Sequence, residues 1–135
     1  QQRGLIMTQT IQQQRAKFAL ERVKALPQVL KVEKEQTEFI SYASGLPAMI
    51  HMNSLGQALA FCKVKGKERE SYQQLYQLVS DWLCQPNQPY AGKVDALEGI
   101  TQFDMARYQL AQAEALVLMS WVKKFAKAFL AEDAA

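Results

Sequence analysis

The sequence predicts an all-α protein: a compact bundle of about five to six helices in a single domain. Three observations favour this class. Apolar residues recur at steps of three and four in several windows, and prolines and glycines separate those windows. No segment alternates apolar and polar residues over the length of a strand. At 135 residues, the chain is long enough to bury a core without metal ions or disulfides.

The first predicted helix follows a cap at Thr8 or Thr10 and ends near Leu26, because Pro27 comes next. A second, shorter helix is predicted over residues 32–43, where apolar residues again recur at helical spacing.

A long run without charged residues extends from Phe39 to Cys62. Within it, Gly45 and Pro47 predict a tight turn that ends the second helix, with Pro47 in the first turn of a central helix. This helix is predicted to end at Gly66. Apolar groups lie nearly all the way round it, so we expect it to be enclosed by the other helices.

Three more helices complete the predicted bundle, and the most regular amphipathic stripe belongs to the first of them. They cover residues 72–83, residues 94–102, and the chain from Phe103 or Asp104 to about Leu130. The breaker-rich segment CQPNQPYAG is predicted to be a loop within the domain. We predict that residues 8–131 form the domain, that residues 1–7 are an N-terminal extension or tag remnant, and that residues 132–135 are a C-terminal tail.

The net charge of +3 is too small to indicate a nucleic-acid partner by itself, but its distribution is uneven. Basic residues group on the first helix, after the central helix and near the end of the chain, and a comparatively acidic region lies between them. We therefore predict two electrically different faces. Cys62 and Cys84 form no CxxC pair, and we expect both to be reduced, with a disulfide between them as the alternative.

Residues 1–6 contain too little apolar sequence for a secretory signal. Polar and breaker residues interrupt the charge-free run, which argues against a membrane span. The expected location is therefore the cytoplasm, with no membrane partner.

Residue types that could perform catalysis are present without the neighbours that catalysis needs. His51 is the only histidine, and it has no acidic residue three or four positions away, so we expect a packed or hydrogen-bonded side chain. Ser44, Ser54 and Cys62 lie in no nucleophile motif. The prediction is a protein that is not an enzyme and that has no cofactor and no metal site.

Asn53, Gly56 and Gln57 form a separate group in the central helix. Glycine inside a helix costs about 1 kcal/mol relative to alanine, which indicates close helix packing or, alternatively, contact with a partner. Asn53 and Gln57 lie four residues apart and can present two amides on one edge, so both are candidates for a partner contact.

Three segments together resemble a known family: LPAMIHMNSLGQALAFCKVK, SYQQLYQLVSDWL and ALVLMSWVKKFAKAFL. In order and spacing the chain is similar, from about Thr8 to Leu130, to the small helical subunit of type III-B CRISPR effector complexes, the Cmr complex. At Ser54 it departs from a pattern that often has glycine, which predicts a local difference in packing or backbone approach.

The resemblance implies an all-α, non-catalytic subunit of an RNA-guided complex in antiviral defence. Copies of such a subunit stack head to tail as a minor filament beside larger backbone subunits. They line the groove in which target RNA pairs with the guide RNA, and target cleavage belongs to the backbone subunits. The implied partners are therefore the backbone and other Cmr subunits, guide and target RNA, and further copies of this chain.

Charge and helical periodicity, and not the family pattern, select the candidate nucleic-acid-binding residues. These are Arg15, Arg22, Lys63, Lys65, Arg107, Lys123, Lys124 and Lys127. On the first helix, Arg15 and Arg22 are seven residues apart and nearly in line, which fits either a solvated surface or a row facing phosphates. The alternative function is a helical protein–protein adaptor without direct nucleic-acid contact.

Overall fold

The computed structural model describes residues 8–131, and five α-helices account for most of them. The helices are α1 (Ile11–Ala25), α2 (Glu33–Lys65), α3 (Glu70–Leu83), α4 (Ala96–Gln102) and α5 (Met105–Phe129). No strand occurs in this part of the chain. The predicted all-α, single-domain bundle of five to six helices is therefore confirmed. The predictions for residues 1–7 and 132–135 lie outside the described residues.

Helix α1 begins and ends close to the predicted positions. The Thr10 hydroxyl accepts a hydrogen bond from the Gln13 backbone N–H at 3.0 Å, and the Gln13 side chain accepts one from the Thr10 N–H at 2.8 Å. This capping box satisfies two N–H groups that the helix itself leaves unpaired. Pro27 lies in a short 3-10 helix, Leu26–Gln28, directly after α1.

The turn predicted at Gly45 and Pro47 is wrong, because helical backbone continues through both residues. The break within α2 lies at Ser54, whose φ of 75° and ψ of 164° are not helical. Residues other than glycine rarely adopt this conformation. Pro47 therefore lies inside a helix, where it removes one backbone hydrogen bond without ending the helix.

At this break α2 folds back on itself. A straight helix of 33 residues would place Lys65 about 45 Å from Glu35. However, the Ser71 hydroxyl donates a hydrogen bond to the Glu35 carbonyl at 2.7 Å, and the six residues from Lys65 to Ser71 span at most about 20 Å. The two segments of α2, residues 33–53 and residues 55–65, therefore run in roughly opposite directions.

Side chains of α5 satisfy the backbone that the break exposes. The Leu55 N–H donates to Gln112 Oε1 at 2.8 Å, and the Gly56 N–H donates to the Tyr108 hydroxyl at 2.7 Å. A Cβ placed on Gly56 would lie 3.4 Å from that hydroxyl oxygen, at contact distance. Gly56 therefore packs closely against α5, which agrees with the first of the two explanations for this glycine.

The loop at residues 84–95 is held against the bundle by Tyr90, which is fully buried. Gly99 of α4 lies directly against the Tyr90 ring, and a Cβ at this position would overlap the ring. The side chains of Asp95 and Asp104 accept hydrogen bonds from N–H groups in the first turns of α4 and α5. Both helices thus start with the side-chain caps that favour helix N-termini.

All five helices contribute to one core. The expectation that the charge-free segment is enclosed is only partly right. Its buried side includes Ile50 and Leu55, but Met52 is 81% exposed and Phe61 is 38% exposed. Helices α3 and α5 cover one side of α2, and the uncharged residues on the other side remain at the surface.

Candidate nucleic-acid interface

The long helices run between two ends of the bundle, and these two ends differ in charge. In the half that we call basal, α1 and α5 end and α2 and α3 begin. Two contacts define it: the Lys24 ammonium lies 5.1 Å from the Phe129 ring centroid, and Arg69 forms an ion pair with Glu38 at 2.6 Å. The apical half contains the turn in α2, helix α4 and the start of α5.

The basic excess of the described chain lies in the basal half. Its lysines and arginines are Lys24, Lys31, Lys34, Lys63, Lys65, Lys67, Arg69, Lys123, Lys124 and Lys127, and its acidic residues are Glu33, Glu35, Glu38, Glu68 and Glu70. The apical half has Lys93 and Arg107 beside Asp95, Glu98 and Asp104. The charged residues between the two ends balance: Arg15, Lys17 and Arg22 against Glu21, Asp81 and Glu114. The structure thus produces a basic half and a weakly acidic half from a chain of low net charge.

Three of the predicted residues, Arg15, Arg22 and Arg107, are held in contacts within the bundle. Arg22 forms an ion pair with Asp81 at 2.8 Å. The Arg107 guanidinium lies 4.4 Å from the centroid of the Phe103 ring and donates a hydrogen bond to the Pro89 carbonyl at 2.9 Å. These arginines tie helices and a loop together, and each is only partly exposed.

Arg15 belongs to a partly buried network that joins three helices. Its guanidinium donates two hydrogen bonds to the Glu114 carboxylate, which also accepts one from the Trp82 indole N–H at 2.8 Å. Burial of Glu114 disfavours its ionised form, but the hydrogen bonds from Arg15 and Trp82 outweigh this and lower the pKa of the carboxyl below its usual value. The network therefore fixes α1 and α3 against α5.

The five predicted lysines, by contrast, all lie in the basal half. Lys63 and Lys65 are exposed, with ammonium groups 4.7 Å from the Tyr76 ring centroid and 5.7 Å from the Phe61 ring centroid. The others belong to the last two turns of α5: Lys123, Lys124 and Lys127. No ion pair involves these three among residues 8–131, and the last two are exposed.

Asn53 and Gln57 line a groove between the two segments of α2. The groove has a volume of about 410 Å³, and Met49 and Phe61 complete its lining. Sequence reasoning identified the two amides but missed Met49 and Phe61. The spacing of four residues from Gln57 to Phe61 could have indicated that Phe61 lies on the same side of the helix. Only the reversal of α2 brings residues 33–53, with Met49, next to that side.

Other candidate groups have no partners for catalysis in the described chain. The expectation of a packed or hydrogen-bonded His51 is wrong: the side chain is exposed and forms no hydrogen bond within residues 8–131. Both cysteines are free thiols, and burial raises the pKa of Cys62 to about 12. Across the same residues, no cluster of His, Cys, Asp or Glu is suited to a metal ion, and no helix has the length and apolar character to cross a bilayer.

A comparison with known protein families assigns the chain. The family described as "CRISPR-associated protein (Cas_Cmr5)" matches residues 11–129, which include all five helices. The chain belongs to the Cas_Cmr5 family.

Membership of the Cas_Cmr5 family confirms the resemblance to the small subunit of the type III-B CRISPR Cmr complex. It also implies association with other Cmr subunits. Among the described residues, the exposed surface includes the basal lysines and the uncharged side of α2.

Proposed function

We propose that this Cas_Cmr5 chain is a non-catalytic subunit that supports target RNA capture in the cytoplasm, as part of antiviral defence. Copies stack as a minor filament in the Cmr complex, and their basal halves contact the sugar–phosphate backbone of the guide and target RNA. The observation that carries the proposal is the concentration of exposed lysines in one half of the bundle.

Lysines of this kind suit a protein that holds RNA without reading its sequence. An ammonium group on a stable helix attracts phosphates whatever the base, and guide–target pairing supplies the sequence information. Of the eight predicted residues, Lys63, Lys65, Lys123, Lys124 and Lys127 are the ones proposed for phosphate contacts. The three arginines already donate to groups within the bundle, so we propose that they contribute mainly by positioning helices.

The test measures target RNA binding by the assembled Cmr complex over a range of salt concentrations. Lys65, Lys124 and Lys127 are replaced one at a time by glutamine. Each phosphate contact removed should weaken binding and lower the slope of log K against log salt by about one. Lys17→Gln is the matched control, because Lys17 is exposed but paired with Glu21 at 2.9 Å.

The proposal fails if the complex assembles normally with these variants and both target capture and its salt dependence stay unchanged. Weak binding by the isolated chain would not contradict it, because a few contacts in each copy gain strength only when several copies are linked.

The second candidate is a protein–protein adaptor with no direct RNA contact. Exposed apolar residues on α5 favour it: Met105, Leu110 and Val117 are 74%, 61% and 37% exposed. An adaptor predicts that Leu110→Ser weakens incorporation of the chain into the complex, whereas the lysine variants alter neither assembly nor RNA capture. Quantifying the subunits that co-purify separates the two functions.

A further inference from the structure

The groove between the two segments of α2 combines two amides, an aromatic ring and a thioether. Residues 33–53 supply Met49 and Asn53, and residues 55–65 supply Gln57 and Phe61. None of the four is charged. Asn53 and Gln57 form no side-chain hydrogen bond with any residue from 8 to 131, so their donors and acceptors remain available.

Two of the lining residues have the chemistry that recognises a nucleobase edge. Carboxamide side chains offer a donor and an acceptor side by side, and this pair matches the edge of a base. The reversal at Ser54 places Asn53 and Gln57 on facing segments. A planar ligand in the groove could therefore meet an amide from either side.

The other two lining residues can hold the flat surface of a base. Phe61 is 38% exposed, and its ring is held by Tyr72, which packs against it at a right angle with the ring centroids 5.7 Å apart. Tyr72 in turn stacks on Tyr42 at 3.7 Å. A supported aromatic ring is the usual platform for an unpaired base, and a thioether such as that of Met49 adapts to an irregular apolar surface.

A cation lies beside the groove, over the Phe61 ring. Lys65 is four residues after Phe61, on the same side of the helix, and its ammonium group is 5.7 Å from the Phe61 ring centroid. Gln57, Phe61 and Lys65 therefore form one row that offers an amide, an aromatic ring and a positive charge in order.

We infer that this groove binds an unpaired nucleobase of a single-stranded RNA segment, with Phe61 stacking on the base, Asn53 and Gln57 contacting its edge, and Lys65 contacting its phosphate. The inference rests on the proposed function, and it adds a contact with a base to contacts with the backbone. A protein segment is the less suitable occupant, because a lysine beside the groove and a basic basal half favour an anionic chain.

The first experiment uses nuclear magnetic resonance on the full chain, with adenosine 5′-monophosphate, uridine 5′-monophosphate and ribose 5-phosphate as probes. The two nucleotides should shift the side-chain amide signals of Asn53 and Gln57 and the ring signals of Phe61. Ribose 5-phosphate has no base and should affect only Lys65 and the Phe61 ring beside it, and not the two side-chain amides. Equal shifts from all three probes, or no shift at the groove residues, would overturn the inference.

Substitutions then test the aromatic platform. Phe61→Leu keeps most of the apolar volume but removes the ring, and it should weaken nucleotide binding about tenfold without changing the response to ribose 5-phosphate. Phe129→Leu is the matched control, because Phe129 is 49% exposed and also lies under a lysine, 5.1 Å from the Lys24 ammonium, but lines no part of the groove. An equal loss in both variants would contradict a base-stacking site.

The assembled Cmr complex separates failure of this inference from failure of the proposed function. A photo-crosslinking phenylalanine analogue at position 61 should capture RNA. Capture of a protein subunit without RNA would overturn the nucleobase site. If the lysine variants weaken target capture but Phe61→Leu does not, the proposed backbone contacts stand and the base site falls. If neither set of variants weakens capture, both fall.

Discussion

Replacing Ser54 by glycine should stabilise the protein. Ser54 has φ 75° and ψ 164°, a region in which a residue with a Cβ carries about 1–3 kcal/mol of strain. Glycine relieves that strain but gives the unfolded chain more conformational freedom, which costs about 0.5–1 kcal/mol. The net gain should be about 0.5–2 kcal/mol, or roughly 2–6 °C in melting temperature for a domain of this size.

Urea unfolding followed by circular dichroism measures this effect, with an unchanged m-value showing that the extent of unfolding is the same. Ser44→Gly is the matched control, because Ser44 is an exposed serine within the helical part of α2. There, glycine should destabilise the fold by about 0.5 kcal/mol through its lower helix propensity. If Ser54→Gly destabilises to the same degree, residue 54 is helical and the reversal of α2 is refuted.

Three further outcomes follow from the packing. Gly99→Ala should destabilise the fold by about 2–3 kcal/mol in thermal melts, because its Cβ would overlap the buried Tyr90 ring. Gly45→Ala should stabilise it by up to about 1 kcal/mol, because Gly45 is helical and no atom lies within 4 Å of a Cβ there. Glu114→Gln should cost about 1–3 kcal/mol at neutral pH by weakening the bonds from Arg15. Because folding lowers the Glu114 pKa, the carboxylate stabilises the fold at pH values above its unfolded-state pKa, and this stabilisation is lost as pH falls through the folded-state pKa. Acid should therefore reduce the difference in unfolding free energy between variant and parent, as measured by urea unfolding. A difference that stays constant with pH would contradict this assignment.

Most of the helix boundaries could be read from the sequence, because they depend on local chemistry. Thr10 caps α1, and Asp104 caps α5. The turn in α2 could not be placed in this way. Gly45 and Pro47 carry the local breaker signal, but the chain reverses at Ser54, where α5 supplies hydrogen-bond partners for the exposed backbone. Tertiary contacts therefore outweighed local preference.

In the candidate site, too, the sequence gives the position of a residue on its helix, but the fold decides what that residue contacts. Periodicity placed Arg15 and Arg22 on one row, but a row on a helix can face solvent or a neighbouring helix. In the fold, both meet carboxylates, Glu114 and Asp81. The groove at Phe61 was also beyond sequence reasoning, because its two walls come from segments that meet only when α2 reverses.

The sequence by itself determined the helical class, the single domain, most helix ends and the membership of the Cas_Cmr5 family, because capping, apolar spacing and the family motif are properties of short stretches. Only the tertiary structure decided which cations remain at the surface, where α2 turns, and which side of the charge-free run is exposed. Each of these depends on which elements become neighbours, and that follows from burying apolar surface across the whole chain.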